Sequence, residues 1–568
     1  VDRIDVSAEG DVYIVEADDL QLGRFGLRIV DTGPGESLVL AFEDDAELSS
    51  LLETGRVQAG AVTLQSGDAL RLSTSLLNPD GDLTVDAAEL FATAQLQPHV
   101  ILPSGVLRLS IENGNSDVLQ VQAQAVGATV QDGSLFLQLS GDTAILSEGI
   151  HLLGGIGTLE IATESGDLIL NGTMLHSGTG ELLLAVDGAL VLGTSLPAEA
   201  AYLTADRVML MLADGVSGSG MLRILTDEVS ARTLAGSLPL QFLSGVTVAG
   251  DGVEILSGSG DLTLGVTEGG LTLESGLRNA GSGDISVEIV DGLLEVPGAF
   301  GDPALIQVAS GSVFLTLDLG ITLSGTQDRL WISAPAIAVQ SNTGSLPLGL
   351  PGSVTLLEPG IQILFGAGTL DVLAGELLSA VAGTALRIDN GTLRLTLQDG
   401  VAPLQVQAAF FTGSSQQGDL QIDFTQATRI TAEGLELASG SGTLALRTLS
   451  GNLETEGVIR HGDTGDVRLE ALAAGALLRA IVTQLPGVVI DAGQAHVSLR
   501  LDSGVVVSGA TYLQIDAERF DAVTRTGNLR LEFQNGLLLT DTGIEVTDIA
   551  GTGEIDLRVQ GGDLVFGT

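Results

Sequence analysis

The sequence predicts an all-β fold, a parallel β-helix (β-solenoid) of about 20–25-residue coils with a few short inserted helices or loops. Three observations lead to this fold class. A glycine-rich phrase recurs along the chain, and the residues after it alternate between apolar and polar or small side chains. In addition, 44% of the 568 residues are hydrophobic although only 3% are aromatic. A thin core of stacked coils accounts for this composition, because it accepts Leu, Ile, Val and Ala more readily than large rings.

The recurring phrase is Gly, any residue, Gly, a small or acidic residue, and then an apolar–any–apolar triplet. Because the apolar residues alternate after a glycine turn, each copy predicts a turn that leads into a β-strand. We expect glycines at corners, where positive φ is needed and a side chain would collide with the neighbouring coil. The copies span residues 155–161, 178–184, 218–224, 258–264, 281–287, 366–372, 440–446 and 551–557.

The spacing of the phrase predicts the length of one coil. In three places successive copies lie about 23 residues apart. These copies are marked by Gly157 and Gly180, by Gly260 and Gly283, and by Gly442 and Gly465.

The coils are grouped into longer, unequal blocks. A second phrase lies downstream in each block, as Tyr-Leu-Thr-Ala-Asp at 202–206, Leu-Trp-Ile-Ser-Ala at 330–334 and Tyr-Leu-Gln-Ile-Asp at 512–516. We therefore predict one continuous solenoid. It has N-terminal coils over residues 1–150 and repeat blocks over 151–255, 256–437 and 438–568.

Other repeat folds fit the sequence less well. Glycine at this frequency would cost roughly 1 kcal/mol per residue inside helices. A propeller blade needs about 40–50 residues, and tandem sandwich domains would show a period nearer about 100. One coil per unit gives about 25 coils spaced about 4.8 Å apart.

The charge of the chain excludes one class of partner. With 72 Asp or Glu and 23 Lys or Arg, the formal net charge is −49, and every basic residue is an arginine. Such a chain would repel phosphate, so we predict no nucleic-acid partner. The absence of cysteine excludes disulfides and Cys-ligated metal sites. We interpret the excess carboxylates as a solvated coat that keeps an apolar solenoid soluble.

The longest apolar stretch does not meet the requirements of a transmembrane helix. A spanning helix needs about 20 nearly uninterrupted apolar residues, whereas residues 471–490 include Arg479, Gln484 and Pro486. We therefore predict no membrane insertion. Residues 471–481 and 376–382 have the composition of short helices, which would brace the solenoid or contact another subunit.

The ends of the chain show no polar cap. Residues 561–568 have the pattern of the start of another coil, and an uncapped parallel edge invites another strand. We expect either a slice of a longer solenoid or units that stack end to end. The chain opens on Val1 with no signal peptide, which suggests a mature product or an internal piece.

Several repeat phrases resemble those of very large exported bacterial proteins. They are Gly-Asp-Val-Tyr-Ile-Val-Glu at 10–16, Ser-Gly-Asp-Leu-Ile-Leu at 165–170 and Gly-Ser-Gly-Asp-Leu-Thr-Leu at 258–264. The chain is similar here to the filamentous-haemagglutinin group and to giant repetitive surface proteins. The resemblance implies a right-handed parallel β-helix, export to the cell surface, and a role in adhesion or in building a sheath or filament.

A polysaccharide lyase or hydrolase is the alternative function, because enzymes also use parallel β-helices. Pectate-lyase-like sites need a basic residue that abstracts a proton, and without lysine only an arginine could do so. Polygalacturonase-like sites need Asn-Thr-Asp and Gly-His-Gly phrases, and neither occurs. We therefore predict a non-enzyme with no catalytic or cofactor-binding residues.

The histidines give no metal signature. They lack the close ligand spacing of zinc sites, so we interpret them as solvated or loop residues rather than as ligands. The polar cluster Arg460-His-Gly-Asp-Thr-Gly-Asp466 is interpreted as a glycine corner rather than an ion site. The histidines are His99, His151, His176, His461 and His496.

Calcium is the one cofactor that the sequence leaves open. The acidic pairs Asp18-Asp19 and Asp44-Asp45 have the hard oxygen ligands that calcium prefers. Residues 269–270 and 561–563 are isolated fragments of the glycine-rich calcium repeat, not tandem copies. We interpret the acidic pairs as solvated surface and predict no metal ligands.

Tyr202, Trp331 and Tyr512 fall at equivalent or adjacent places in the downstream phrase. An aromatic platform for sugars is one interpretation. We favour the other, one large residue per block packed at a corner or against a covering loop, because repeat equivalence indicates structure first.

The sequence as a whole predicts a non-enzymatic structural or adhesive protein. We expect it to be extracellular or on the bacterial cell surface, forming or decorating a filament, sheath or fibre by stacking of its coils. The expected partners are copies of itself, and other surface proteins or glycans. A passive binding module of a larger adhesin is a further alternative.

Overall fold

The computed structural model describes most of the chain and shows one kind of secondary structure. The described residues form a parallel β-solenoid of about 21 coils of ~24 residues, with no helix. This confirms the predicted fold class, with fewer coils than the expected 25 or so. The described residues are 4–16, 19–29, 36–50, 54–79, 81–93, 98–194, 200–297, 306–325, 327–473, 478–481, 487–508, 512–547 and 553–567.

The chain divides into two compact units, Val1–Ser286 and Val287–Thr568, with the boundary inside strand β31 (Ile285–Ile289). The strands of the first unit are β1 (Ile4–Ala8), β2 (Val12–Glu16), β3 (Leu20–Ile29), β4 (Ser37–Phe42), β5 (Ala46–Ser50), β6 (Thr54–Gln58), β7 (Ala61–Ser66), β8 (Ala69–Leu72), β9 (Ser75–Leu77), β10 (Asp82–Ala87), β11 (Glu89–Ala92), β12 (Val100–Ile111), β13 (Leu119–Val130), β14 (Leu135–Ser140), β15 (Thr143–Leu152), β16 (Thr158–Ser165), β17 (Leu168–Leu170), β18 (Met174–His176), β19 (Glu181–Val186), β20 (Leu190–Leu192), β21 (Leu203–Thr204), β22 (Arg207–Leu212), β23 (Val216–Gly218), β24 (Leu222–Leu225), β25 (Glu228–Thr233), β26 (Leu238–Phe242), β27 (Val246–Ile255), β28 (Leu262–Val266), β29 (Leu271–Leu273) and β30 (Leu277–Asn279).

The second unit continues with the same type of strand. Its strands are β32 (Leu294–Val296), β33 (Ile306–Val308), β34 (Ser312–Leu317), β35 (Ile321–Leu323), β36 (Leu330–Ser333), β37 (Ala336–Ser341), β38 (Leu346–Ile363), β39 (Thr369–Ser379), β40 (Leu386–Leu397), β41 (Val401–Ser415), β42 (Leu420–Phe424), β43 (Thr428–Leu437), β44 (Leu444–Thr448), β45 (Leu453–Thr455), β46 (Ile459–His461), β47 (Asp466–Ala471), β48 (Leu478–Ile481), β49 (Ile490–Leu501), β50 (Val505–Ser508), β51 (Leu513–Thr524), β52 (Leu529–Phe533), β53 (Leu537–Val546), β54 (Ile555–Val559) and β55 (Leu564–Phe566).

Each strand pairs in parallel with the strand that occupies the same place in the next coil. In the first unit, Leu159 of β16 lies opposite Leu182 of β19, which lies opposite Val208 of β22. All three side chains are fully buried. Every second residue of a strand points inward, so the core of each unit is a set of stacked aliphatic columns.

In the second unit the core also holds phenylalanine. Phe411 and Phe424 lie on successive coils and meet edge to face, with ring centroids 5.2 Å apart. Phe520 and Phe533 repeat the arrangement at 5.0 Å. Such edge-to-face pairs are favourable beyond their buried area, and they show that the solenoid core admits rings of this size.

The two glycines of the repeated phrase meet different requirements. Gly440 has φ of +92°, a conformation that L-residues rarely adopt. Gly442 needs space instead, since a Cβ atom there would overlap the carbonyl oxygen of Gly418 in the preceding coil. The expectation that glycines form the corners is confirmed for both reasons.

The predicted helices are wrong wherever the structure describes them. Residues 376–379 belong to strand β39 and residues 478–481 form β48, while 474–477 lie outside the described residues. Leu377 is buried opposite Val354 of the preceding coil, and Leu378 points outward. Burial on a stacked coil therefore overrides helix propensity. In the described part of the chain no helix has the length and apolarity needed to cross a membrane.

Candidate functional site

Two histidines lie inside the coils, where each joins its coil to the preceding one. The Nε2 atom of His176 lies 2.8 Å from the carbonyl oxygen of Gly157, and its Nδ1 atom accepts the backbone N–H two residues on at 3.1 Å. His461 makes the same contacts, at 2.9 Å to Gly442 and 3.1 Å to the N–H. Because Nδ1 accepts, the proton lies on Nε2 and donates to the carbonyl. Both imidazoles have structural roles.

An asparagine occupies the same position in a third coil. The Nδ2 atom of Asn279 donates to the carbonyl of Gly260 at 2.9 Å, and its Oδ1 atom accepts from the N–H of Gly281 at 3.0 Å. The asparagine amide supplies the donor and the acceptor that a neutral imidazole supplies. The signal was present in the sequence, because each of the three residues lies 19 residues after the second glycine of a Gly-x-Gly phrase.

The prediction that the histidines are solvated or loop residues is wrong for His176 and His461, which are buried within β18 and β46, whereas His99 is buried but lies in a bend before β12. Nδ1 of His99 accepts the backbone N–H of Gln120 at 3.0 Å. His151 is less deeply placed, with Nε2 2.9 Å from Oγ1 of Thr173. Its burial lowers the pKa of the imidazole. The glycine-corner interpretation of the cluster around His461 is confirmed.

His496 lies between carboxylates from two other coils. Its Nε2 atom is 2.5 Å from Oδ1 of Asp521, and its Nδ1 atom is 3.8 Å from Oδ1 of Asp466. Ser498 donates from Oγ to the other oxygen of Asp521 at 2.9 Å. The serine is thus bonded to the carboxylate rather than to the imidazole. In a Ser-His-Asp triad the serine must pass its proton to the histidine, so this trio lacks that arrangement.

Aspartates at the corners bind the backbone of the following coil. Oδ1 of Asp419 accepts the N–H of Thr443 at 2.7 Å, and Oδ1 of Asp82 accepts the N–H of Val106 at 2.9 Å. Charged acceptors of backbone N–H groups make strong hydrogen bonds. Much of the acidity therefore has a structural use that sequence reasoning missed. The same contact is made by Asp11, Asp19, Asp45, Asp142, Asp167 and Asp261.

The acidic pairs considered for calcium form part of this system. Asp45 accepts the N–H of Ala69 at 3.1 Å, and Asp19 accepts the N–H of Glu47 at 2.9 Å. Asp18 lies outside the described residues. Within the described ranges, no three or more His, Asp or Glu side chains are grouped so that they could hold a metal ion.

The three aromatic residues of the downstream phrase differ in their environment. Tyr202 and Tyr512 are buried, each with a guanidinium over its ring, from Arg223 at 4.8 Å and from Arg558 at 3.9 Å. These are the packed large residues that we expected. Trp331 differs, since it points outward from β36 and is only half-buried.

The coil formed by β54 and β55 has an open edge. By register, Leu564 and Phe566 of β55 continue the inward columns of Leu537 and Leu539, which are buried. Yet Leu564 is 37% exposed and Phe566 is 70% exposed. Among the described residues, β54 pairs only with β52 and β55 only with β53. The side of this coil that faces away from β52 and β53 therefore has the register and the inward apolar residues to receive a further coil, whether that coil belongs to the same chain or to another copy.

The coil that begins with β1 and β2 also has an unpaired side. Within the described ranges β1 pairs with β3 alone and β2 with β4 alone. Val12 and Ile14 of β2 lie opposite the buried Leu38 and Leu40 but are themselves only half-buried. Parallel strands can pair on both sides, so this surface has the same capacity to accept a coil. We call these two surfaces the β54–β55 edge and the β1–β2 edge.

Comparison of the chain with protein-family models, with curated proteins and with solved structures finds no match. The resemblance to the filamentous-haemagglutinin group thus rests on the repeat phrases. Of what it implies, the structure bears out the parallel β-solenoid.

Proposed function

We propose that the chain is a non-enzymatic structural or adhesive protein of the bacterial cell surface. Its coils form or decorate a filament, sheath or fibre by stacking on other coils of the same kind. The observation that supports this proposal most directly is the register of Leu564 and Phe566, which continue columns that are buried one coil earlier and so suit this coil to receive another of the same kind.

The physical basis is that a coil buries its apolar columns and pairs its strands fully only when another coil lies on each side of it. Covering apolar surface is favourable by about 25 cal/mol per Å², and unpaired strand N–H and C=O groups form a template for another strand. A stacked coil would satisfy both at once. The repeat phrases favour a similar coil as the occupant, because its columns would continue in the same register.

The charge pattern favours stacking over side-by-side association. The net charge is −49, and carboxylates line the outward faces of the coils, whereas the β54–β55 edge presents Leu564, Val565 and Phe566. Like-charged faces repel until salt screens them over about 10 Å. We therefore expect stacking at ordinary ionic strength, and lateral bundling only with added salt or divalent cations.

Sedimentation velocity and electron microscopy of the purified chain over a range of concentrations test the proposal. We expect longer, end-to-end species to increase with concentration. Replacing both inward residues, Leu564→Asp and Phe566→Asp, places charge on the surface that the next coil would cover and should leave the chain monomeric.

Ile156→Asp is the matched control, because Ile156 is 86% exposed in a different coil. This variant should assemble as the native chain does. Dispersed monomers of the native chain at every concentration would contradict the proposal. So would equal assembly of the double variant, or assemblies without an end-to-end arrangement.

A further inference from the structure

The second unit has a polar groove on an outward face. It encloses about 330 Å³, and its lining includes the hydroxyl residues Thr396, Thr412 and Ser414. The charged residues of the lining are Arg329, Asp371, Arg394, Glu433 and Glu436. The groove thus combines paired guanidinium and carboxylate groups with small hydroxyl side chains.

The charged residues of the groove are held in place by one another. Nη1 of Arg329 donates to Oδ1 of Asp371 at 2.8 Å, and Nη2 of Arg394 donates to Oε1 of Glu433 at 3.0 Å. Nε of Arg329 is buried with no hydrogen-bond partner, and the nearest carboxylate oxygen, of Asp328, is 3.5 Å away. A buried donor without an acceptor is costly.

Trp331 lies in the same outward column as Thr396 of the groove. By register Trp331 stands beside Gly349, Gly349 beside Leu373, and Leu373 beside Thr396. A Cβ atom at Gly349 would come within 2.6 Å of the indole, so the ring lies flat over that glycine. Three coil spacings give about 14 Å between Trp331 and Thr396.

We propose that Trp331 and this groove form a binding site for an uncharged polysaccharide that runs along the column of stacked coils. The flat indole suits the apolar face of a sugar ring. The forked guanidinium of Arg394 and the carboxylates of Asp371 and Glu433 suit adjacent hydroxyl pairs. Ligand-binding sites typically combine an aromatic or apolar surface with a small number of fixed polar groups.

The charge of the site decides between classes of glycan. Asp371, Glu433 and Glu436 outnumber Arg329 and Arg394, and the whole chain is strongly acidic. An acidic polysaccharide would be repelled by this field. The site therefore favours neutral over acidic sugars, and it does so whether or not the coils stack.

Fluorescence offers a direct test because Trp331 is the single tryptophan of the chain. The native protein is titrated with laminarin, dextran, soluble starch and galactomannan as neutral probes, and with alginate as the acidic probe. Affinity electrophoresis in gels containing each probe gives an independent readout. We expect at least one neutral probe to shift the tryptophan emission and retard the protein, and alginate to do neither.

Two variants locate the site. Trp331→Ala and Arg394→Gln should each weaken retardation by roughly tenfold or more, while Tyr13→Ala, an exposed aromatic in the first unit, should not. Circular dichroism confirms that the variants keep their strand content. Failure of all four neutral probes, unchanged binding by both variants, or equal binding of alginate would overturn the proposal. Sedimentation of Trp331→Ala should match the native chain, which separates this result from the stacking result.

Discussion

The Nε2 atom of His461 lies 2.9 Å from the carbonyl oxygen of Gly442, in the preceding coil. The other ring nitrogen accepts the N–H of Asp463. A single neutral imidazole thus fixes a corner of its own coil and fastens it to its neighbour. His176 repeats the contact with Gly157. These two histidines show no metal-ligand spacing in the sequence, and they occupy the same position of the repeating coil.

Asparagine should replace histidine at this corner. We expect His461→Asn to retain stability within about 1 kcal/mol, because Asn279 makes the same two bonds. His461→Ala removes both hydrogen bonds, which are part-buried, at a cost of about 1–2 kcal/mol. Hydrogen exchange of the peptide around Asp463 measures the local opening free energy. Equal exchange in the two variants would count against the structural role.

The second glycine of the repeated phrase should not tolerate a side chain. Gly442→Ala would drive Cβ into the carbonyl oxygen of Gly418, whereas Gly383→Ala meets nothing within 4 Å. We expect a loss of more than about 2 kcal/mol for the first variant and little change for the second. Thermal unfolding followed by circular dichroism compares them. Similar midpoints for both would be inconsistent with this corner geometry.

The ion pair of Arg387 and Asp389 should make stability depend on pH. Nε and Nη2 of Arg387 donate to the two carboxylate oxygens at 2.9 and 3.1 Å, and these bonds lower the pKa of Asp389. Because the pKa is lower in the folded than in the unfolded chain, the contribution is complete above the ordinary value of about 3.9. It is lost as the pH falls through the folded-state pKa.

Arg387→Gln tests this dependence. The difference in unfolding free energy from the native chain should be less than about 1 kcal/mol at neutral pH, since both side chains are partly exposed. It should shrink toward zero as the pH falls below about 4. Denaturant unfolding over a pH series measures it. A difference that grows on acidification would contradict the assignment.

The parallel register predicts a specific disulfide. Gln421 of β42 and Ala445 of β44 are outward-facing register partners, and paired strands lie about 4.8 Å apart. That spacing falls within the Cα range of disulfides, about 4.4–6.8 Å. The native chain has no cysteine, so Gln421→Cys with Ala445→Cys should cross-link fully on oxidation. Thiol titration of the unfolded protein measures the yield.

An out-of-register pair provides the control. Thr425→Cys with Ala445→Cys joins residues four positions off register and should remain reduced within one molecule. Efficient cross-linking of this pair, or none of the first, would show that the register of β42 and β44 is different.

The repeat made the fold predictable, because the second glycine of each Gly-x-Gly phrase lies where the preceding coil leaves no room for a side chain. Where Gly442 meets Gly418, only glycine fits, so the spacing of such glycines indicates the coil length. Local composition was misleading at residues 376–379, where Leu377 and Leu378 suggest a helix but alternate between core and solvent. That alternation depends on neighbouring coils and not on the segment itself.

The surfaces were harder to predict than the fold. The use of Asp419 as a cap for the N–H of Thr443 depends on which coil lies beside it. Trp331 is a second case, because it follows the inward Leu330 and points outward, whereas the buried Tyr202 and Tyr512 each precede the inward leucine of their strand. The phrases of the repeat are similar in sequence, but their large aromatic residues occupy adjacent and not identical positions of the coil.

Hydrogen exchange of residues 553–567, measured by mass spectrometry at low and high protein concentration, tests the central claim most directly. We expect the amides of β54 and β55 to exchange quickly in the dilute protein and to become protected as coils stack on the β54–β55 edge. Protection should be absent in the Leu564→Asp, Phe566→Asp variant. Rapid exchange of this segment in the native chain at every concentration would contradict the account.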